Sequence, residues 1–138
     1  MKVNVWISAN TSRTGVMSGV EFPYTALCPS DTKKREFKNI DDVNKEILKI
    51  ADTLENKGQI NVGEAIYEAI FHFADHMKLV KQIHQDRITE YLFCKKFSCP
   101  PFPSLDTTPP NIVDEFITID NEYTLCIEKK KMENTKNA

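Results

Sequence analysis

The chain has 138 residues, of which 41% are hydrophobic and 28% charged, and its formal net charge is −2. This length is enough to bury a core and is expected to form one domain. The small net charge argues against binding to duplex nucleic acid, which requires concentrated positive charge. No apolar run approaches the length that a membrane span requires.

The N-terminus and the cysteines bear on the compartment. The first residues contain no apolar core of a secretion signal. The four cysteines are Cys28, Cys94, Cys99 and Cys126, and a chain of this size does not need disulfides in order to fold. We therefore predict a cytoplasmic protein with reduced thiols, of which Cys28 and Cys126 are buried.

Three strands are predicted before the first helix. Polar and apolar residues alternate over residues 2–8, which is typical of a half-buried strand. A polar turn leads to a second strand over residues 20–28, where Pro23 favours an edge position because it has no amide donor. A charged stretch anchored by Phe37, residues 34–38, predicts the third strand.

Two helices are predicted to follow. The first begins at Asp41 or Asp42, because carboxylates favour a helix N-terminus, and it ends at Gly58. The second spans residues 64–93, which contain no proline and no glycine. Its apolar residues recur every three or four positions and predict a wide apolar face: Ile66, Ile70, Phe73, Met77 and Val80. Such a face must be buried, against a sheet of the same chain or against a second copy.

The C-terminal third has a different character. Five of the seven prolines lie between Pro100 and Pro110, which predicts an extended segment. Residues 115–128 indicate a hairpin with a turn at Asp120 and Asn121, and residues 129–138 a disordered polar tail. The predicted fold is thus a single α+β domain over residues 1–128. It is a mostly antiparallel sheet, of three N-terminal strands and a C-terminal hairpin, packed against two helices of which the second is long.

Two histidines of the long helix are candidate metal ligands. His72 and His76 lie one helical turn apart, which is the spacing found in zinc-binding helices. However, Phe73 stands where the metalloprotease motif has its glutamate, and no third histidine follows at a suitable spacing. We therefore favour a role in packing over a metal site, and predict no cofactor.

A polar loop after the first strand is the main candidate ligand site. It combines hydroxyl, amide, guanidinium and glycine groups, which suit an anion such as a nucleotide phosphate: Asn10, Thr11, Ser12, Arg13, Thr14 and Gly15, extended by Ser18. The spacing is not that of a P-loop, and a solvent-exposed connection is the alternative. Arg87 is predicted to face the ligand or a second chain, unless it simply marks an exposed helix end.

The stretch from Cys94 to Cys99 combines thiols with two lysines. Lysines lower the pKa of a nearby thiol and favour a nucleophile. A helix C-terminus with favourable positive charge is the alternative interpretation, and we favour it.

In the first half of the chain, three predicted strands, with a small-residue turn after the first, precede a helix that carries Glu46. This order resembles the opening of a ribonuclease H-like domain, where the family has a metal-binding glutamate on that helix. Ala9 or Asn10, and Gly63, stand where the family has its aspartates. The resemblance therefore implies a carboxylate set that is incomplete for two-metal catalysis.

The absence of a complete catalytic set favours a non-enzymatic binding protein. We expect a homodimer or larger oligomer, packed through residues 64–93, that holds a small anion or nucleotide in the polar loop. One alternative is an interaction module that binds a partner at the edge strand near Pro23 or at the proline segment, residues 100–110. Another is a metal-dependent enzyme that uses His72 and His76. Compact acidic chains of this kind are also common among viral and phage proteins that block host defences.

Overall fold

The computed structural model describes residues 1–10, 15 and 17–136. Within these residues the chain is mostly helical. The elements in chain order are α1 (Lys2–Ala9), β1 (Tyr24–Leu27), β2 (Lys34–Phe37), α2 (Ile40–Asn56), α3 (Val62–Ile70), a 3₁₀ helix (His76–Leu79), α4 (Gln82–Lys96) and α5 (Pro110–Lys136). The predicted α+β fold is wrong, because the described residues contain only one two-stranded antiparallel sheet, formed by β1 and β2.

Residues 2–8, predicted as a strand, form helix α1. The alternation of polar and apolar residues does not mark one buried face here, because Asn4, Val5, Trp6 and Ile7 are all buried. A short segment enclosed on every side carries little periodic signal, so tertiary packing decides between helix and strand. The resemblance to a ribonuclease H-like domain fails at the same place, because its first element is a strand.

The predicted helix over residues 64–93 is also wrong. The chain leaves the helical path after α3, passes through a turn and the 3₁₀ helix, and then forms α4. The Asp75 carboxylate stabilises this break, since it accepts the amide hydrogens of Met77 and Gly19, each at 3.1 Å. The apolar spacing continues across the break and therefore does not reveal it. Self-packing was predicted from a continuous apolar face on one long helix, and the break interrupts that face. Self-association itself stays a prediction.

Helix α5 replaces the predicted C-terminal hairpin. Pro110 occupies the first helical position, where the missing amide hydrogen costs nothing. The apolar residues that face the core recur at spacings of four and three: Ile112, Phe116, Ile119, Tyr123 and Cys126. This helical spacing is present in the sequence. However, β-branched residues and the pair Asp120 and Asn121, which is typical of a turn, favoured the prediction of two strands. The helix extends through Lys136, and the predicted domain limits stay a prediction.

The sheet and α2 lie close to their predicted positions. In the sheet, Tyr24 is paired with Phe37. Asn39, rather than an aspartate, caps α2, because its side chain accepts the Asp42 amide hydrogen at 3.1 Å. Beyond the helix end, Gly58 has a φ of +72°, the left-handed conformation that commonly follows a helix.

The chain divides into two compact units. Unit 1 comprises residues 1–9 and 81–138, and in it α1 and α4 pack against α5. Its buried core includes Val5, Ile88, Tyr91 and Ile119. Unit 2 comprises residues 10–80, and in it α2 packs against α3 and β2. As far as the chain is described, no helix is both long and apolar enough to cross a membrane.

Candidate functional site

The two candidate metal-binding histidines do not share a helix. His72 is exposed in the turn after α3, whereas His76 is buried at the start of the 3₁₀ helix. The His76 Nε2 atom lies 2.8 Å from the Tyr67 carbonyl oxygen, and its ring centroid lies 4.1 Å from that of Phe71. No group of three or more potential metal ligands occurs within the described residues. These contacts favour the packing interpretation for His76.

Arg87 lies between two carboxylates of unit 1. Its Nε atom is 2.6 Å from a carboxylate oxygen of Glu115 on α5, and its Nη1 atom is 2.9 Å from one of Glu90 on α4. The guanidinium therefore ties α4 to α5, and its charge is balanced locally. Its predicted contact with a ligand stays a prediction.

The polar loop falls only partly within the described residues. Those outside are Thr11, Ser12, Arg13 and Thr14. Asn10 lies in a turn, and the Gly15 carbonyl oxygen accepts the amide hydrogen of Ser18 at 3.1 Å. A Cβ atom on Gly15 would lie 2.7 Å from Cδ1 of Phe71. Close packing therefore explains this glycine, and anion binding by the loop stays a prediction.

Unit 1 contains an apolar groove, which we call the α5 groove. It has a volume of about 260 Å³ and lies between the proline segment and the first turns of α5. Its lining residues are Pro100, Pro101, Ser104, Leu105, Thr108, Ile112, Val113, Phe116 and Ile117. None of these carries a charge. The Thr108 hydroxyl donates to the Ser104 carbonyl oxygen at 2.7 Å, so it is satisfied within the segment. The groove therefore offers a partner an apolar surface.

Sequence reasoning named the proline segment as a docking place but missed the groove itself. Its second wall is α5, which was predicted as a hairpin. Leu105 and Ile117, one on each wall, are 73% and 53% exposed. The helical spacing of Ile112, Phe116 and Ile119 was the signal that could have revealed this wall.

The end of α4 presents a second exposed apolar feature, which we call the aromatic pair. Phe93 and Phe97 lie one helical turn apart, with ring centroids separated by 4.8 Å. They are 57% and 60% exposed. Lys95 and Lys96, which are also exposed, lie between them in the sequence. Unit 1 thus contains both the α5 groove and the aromatic pair, and positive charge lies beside the pair in the sequence.

Unit 2 contains a smaller, charged cavity of about 130 Å³. Its charged lining residues are Arg35, Lys45, Lys49, Glu36, Asp42 and Glu46. Three positive side chains are therefore matched by three negative ones, which gives no preference for an anion. Glu46, the metal ligand implied by the ribonuclease H-like resemblance, is buried and accepts the Ser30 amide and hydroxyl hydrogens at 3.2 and 3.0 Å.

Cys28 borders the same cavity. Burial, together with the negative charge of Glu46 and a hydrogen bond to it, raises the pKa of Cys28 to about 11. The thiol therefore stays protonated at neutral pH.

Comparisons with protein-family models, with curated proteins and with solved structures give no match to this chain.

Proposed function

We propose that this chain is a non-enzymatic protein-interaction module, and that a second copy of the chain docks in the α5 groove. The observation that carries the proposal is the presence, in one unit, of an apolar groove and of an exposed aromatic pair on a helix. Helices that present apolar side chains one turn apart commonly bind in apolar grooves. The aromatic pair of one copy is the segment that enters the groove of the other.

Charge supports a second copy as the occupant. Lys95 and Lys96 accompany the aromatic pair, whereas Asp106 and Asp114 directly follow the groove residues Leu105 and Val113, and all four charged side chains are exposed. In a two-fold dimer, the lysines of each copy approach the aspartates of the other. The same complementary contact therefore forms twice, as an isologous interface requires.

The expected strength is modest. Fully burying an exposed phenylalanine side chain contributes about 1.5–3 kcal/mol. Because both rings are already partly buried, four rings in a two-fold dimer contribute at most about 6–12 kcal/mol. Association costs about 4–15 kcal/mol of lost freedom before side-chain ordering. The dimer is therefore expected to depend on protein concentration.

Light scattering after size-exclusion chromatography tests the proposal. The variants Phe97→Asp and Ile117→Asp place a charge in the aromatic pair and in the groove, respectively. Because each change occurs twice in the dimer, we expect the dissociation constant to rise about 100-fold or more. Leu48→Asp is the matched control, since Leu48 is 65% exposed on α2 of unit 2, and it should dimerise like the unchanged chain.

Two results would overturn the proposal. One is an unchanged chain that remains monomeric at every concentration, in which case any occupant of the groove is a different protein. The other is a Leu48→Asp variant that is as monomeric as Phe97→Asp, because the aromatic pair would then have no specific role.

A further inference from the structure

The end of α4 brings two cysteines together. Ser98 has a left-handed backbone conformation, with a φ of +51°. The Cys99 amide donates to the Cys94 carbonyl oxygen at 3.0 Å, and the Ser98 amide donates to the Lys95 carbonyl oxygen at 3.4 Å. These two hydrogen bonds form a Schellman motif, in which the residue after the left-handed position folds back over the last helical turn. Cys99 therefore lies against Cys94.

The two thiols lie close together and are partly exposed. Both are free, whereas Cys28 and Cys126 are buried. Cys94 and Cys99 are near enough to interact electrostatically. Burial, then the interaction with Cys99 and the charge of Glu90, raise the pKa of Cys94. The lowered pKa that the neighbouring lysines suggested is therefore not found at this thiol. Because the helix end already holds the thiols side by side, a bond between them requires little movement of the backbone.

We propose that Cys94 and Cys99 form a thiol–disulfide redox site whose co-substrate is a low-molecular-weight disulfide of the glutathione class. The thiolate of one cysteine attacks a sulfur of oxidised glutathione, and one glutathione thiolate leaves. The second cysteine thiolate attacks the cysteine sulfur of this mixed disulfide, which forms the Cys94–Cys99 bond and releases the second glutathione thiolate. The chain gives up two electrons and two protons, and oxidised glutathione becomes two thiols.

The test uses the full-length chain, reduced and then incubated with oxidised glutathione. Remaining thiols are alkylated, and intact mass and peptide mapping are measured. The expected product has lost two hydrogen atoms, carries no glutathione and links Cys94 to Cys99. In Cys94→Ser the second step is impossible, so the mixed disulfide on Cys99 should accumulate at least about tenfold above that in the unchanged chain, where the neighbouring thiol has a high effective concentration.

Cys99→Ser provides the reciprocal control, with the adduct expected on Cys94. Far-UV circular dichroism checks that both variants fold, and the linkage found in the unchanged chain decides the matter if they do not. The proposal is overturned if that chain retains a glutathione adduct without the Cys94–Cys99 link, if the link joins other cysteines, or if both thiols stay reduced.

Discussion

At Gly15, the backbone passes so close to Phe71 that any side chain collides with it. A Cβ atom would lie 2.7 Å from the ring carbon and 3.4 Å from the Phe71 Cα atom, so both the ring and the loop would have to move. We predict that Gly15→Ala lowers the free energy of unfolding by about 1–3 kcal/mol, as overpacking usually does. Urea unfolding measures the change. The exposed neighbour Ser18 provides the control, since Ser18→Ala should change stability by less than about 0.5 kcal/mol. Equal effects of the two substitutions would exclude this explanation.

The buried Cys28 thiol predicts a loss of stability in alkaline solution. Its ordinary pKa is 9.0, and burial near Glu46 raises the folded-state pKa to about 11. The unfolded chain therefore releases this proton at lower pH than the folded chain, so the contribution is fully present below pH 9.0 and is lost as pH rises to about 11. Urea unfolding across this range should show a steeper loss for the unchanged chain than for Cys28→Ala. Parallel curves would contradict the raised pKa.

At the scale of the element, Asp75 maintains the break between α3 and α4. Its carboxylate accepts the amide hydrogens of Met77 and Gly19. We predict that Asp75→Ala costs about 1–2 kcal/mol of stability, because two backbone donors lose their acceptor. Asp75→Asn keeps one acceptor oxygen and should cost less. Thermal unfolding distinguishes the two variants, and an alanine variant as stable as the unchanged chain would show that other contacts maintain the break.

The elements that could be predicted were those with local signals. Helix α2 has an amphipathic pattern, acidic residues in its first turn and Gly58 beyond its end, and it forms where these residues indicate. Helix α1 has no such signal, because its residues are buried on several sides. The Asp75 carboxylate, which maintains the break, accepts the amide hydrogen of Gly19, and Gly19 is distant in the sequence. Such contacts leave no trace in local periodicity.

At the scale of the whole molecule, the same limit applies to the candidate site. The α5 groove requires two walls, and of these two only the proline segment was expected to be available for docking. The second wall is α5, because residues 110–136 form a helix where the sequence predicted a hairpin. The exposure of the aromatic pair was similarly not evident, because phenylalanines usually lie in the core, whereas Phe93 and Phe97 are both exposed. Exposure depends on the packing of distant elements, which the sequence alone does not reveal.

Sedimentation equilibrium of an equimolar mixture of Phe97→Asp and Ile117→Asp tests the central claim most directly. In a two-fold dimer, the intact aromatic pair of the Ile117→Asp chain can still enter the intact groove of the Phe97→Asp chain, so one of the two contacts survives. The account predicts that the mixture has a higher mean mass than either variant alone at the same total protein concentration. A mixture whose mean mass equals the average of the two separate samples would contradict docking of the aromatic pair in the groove.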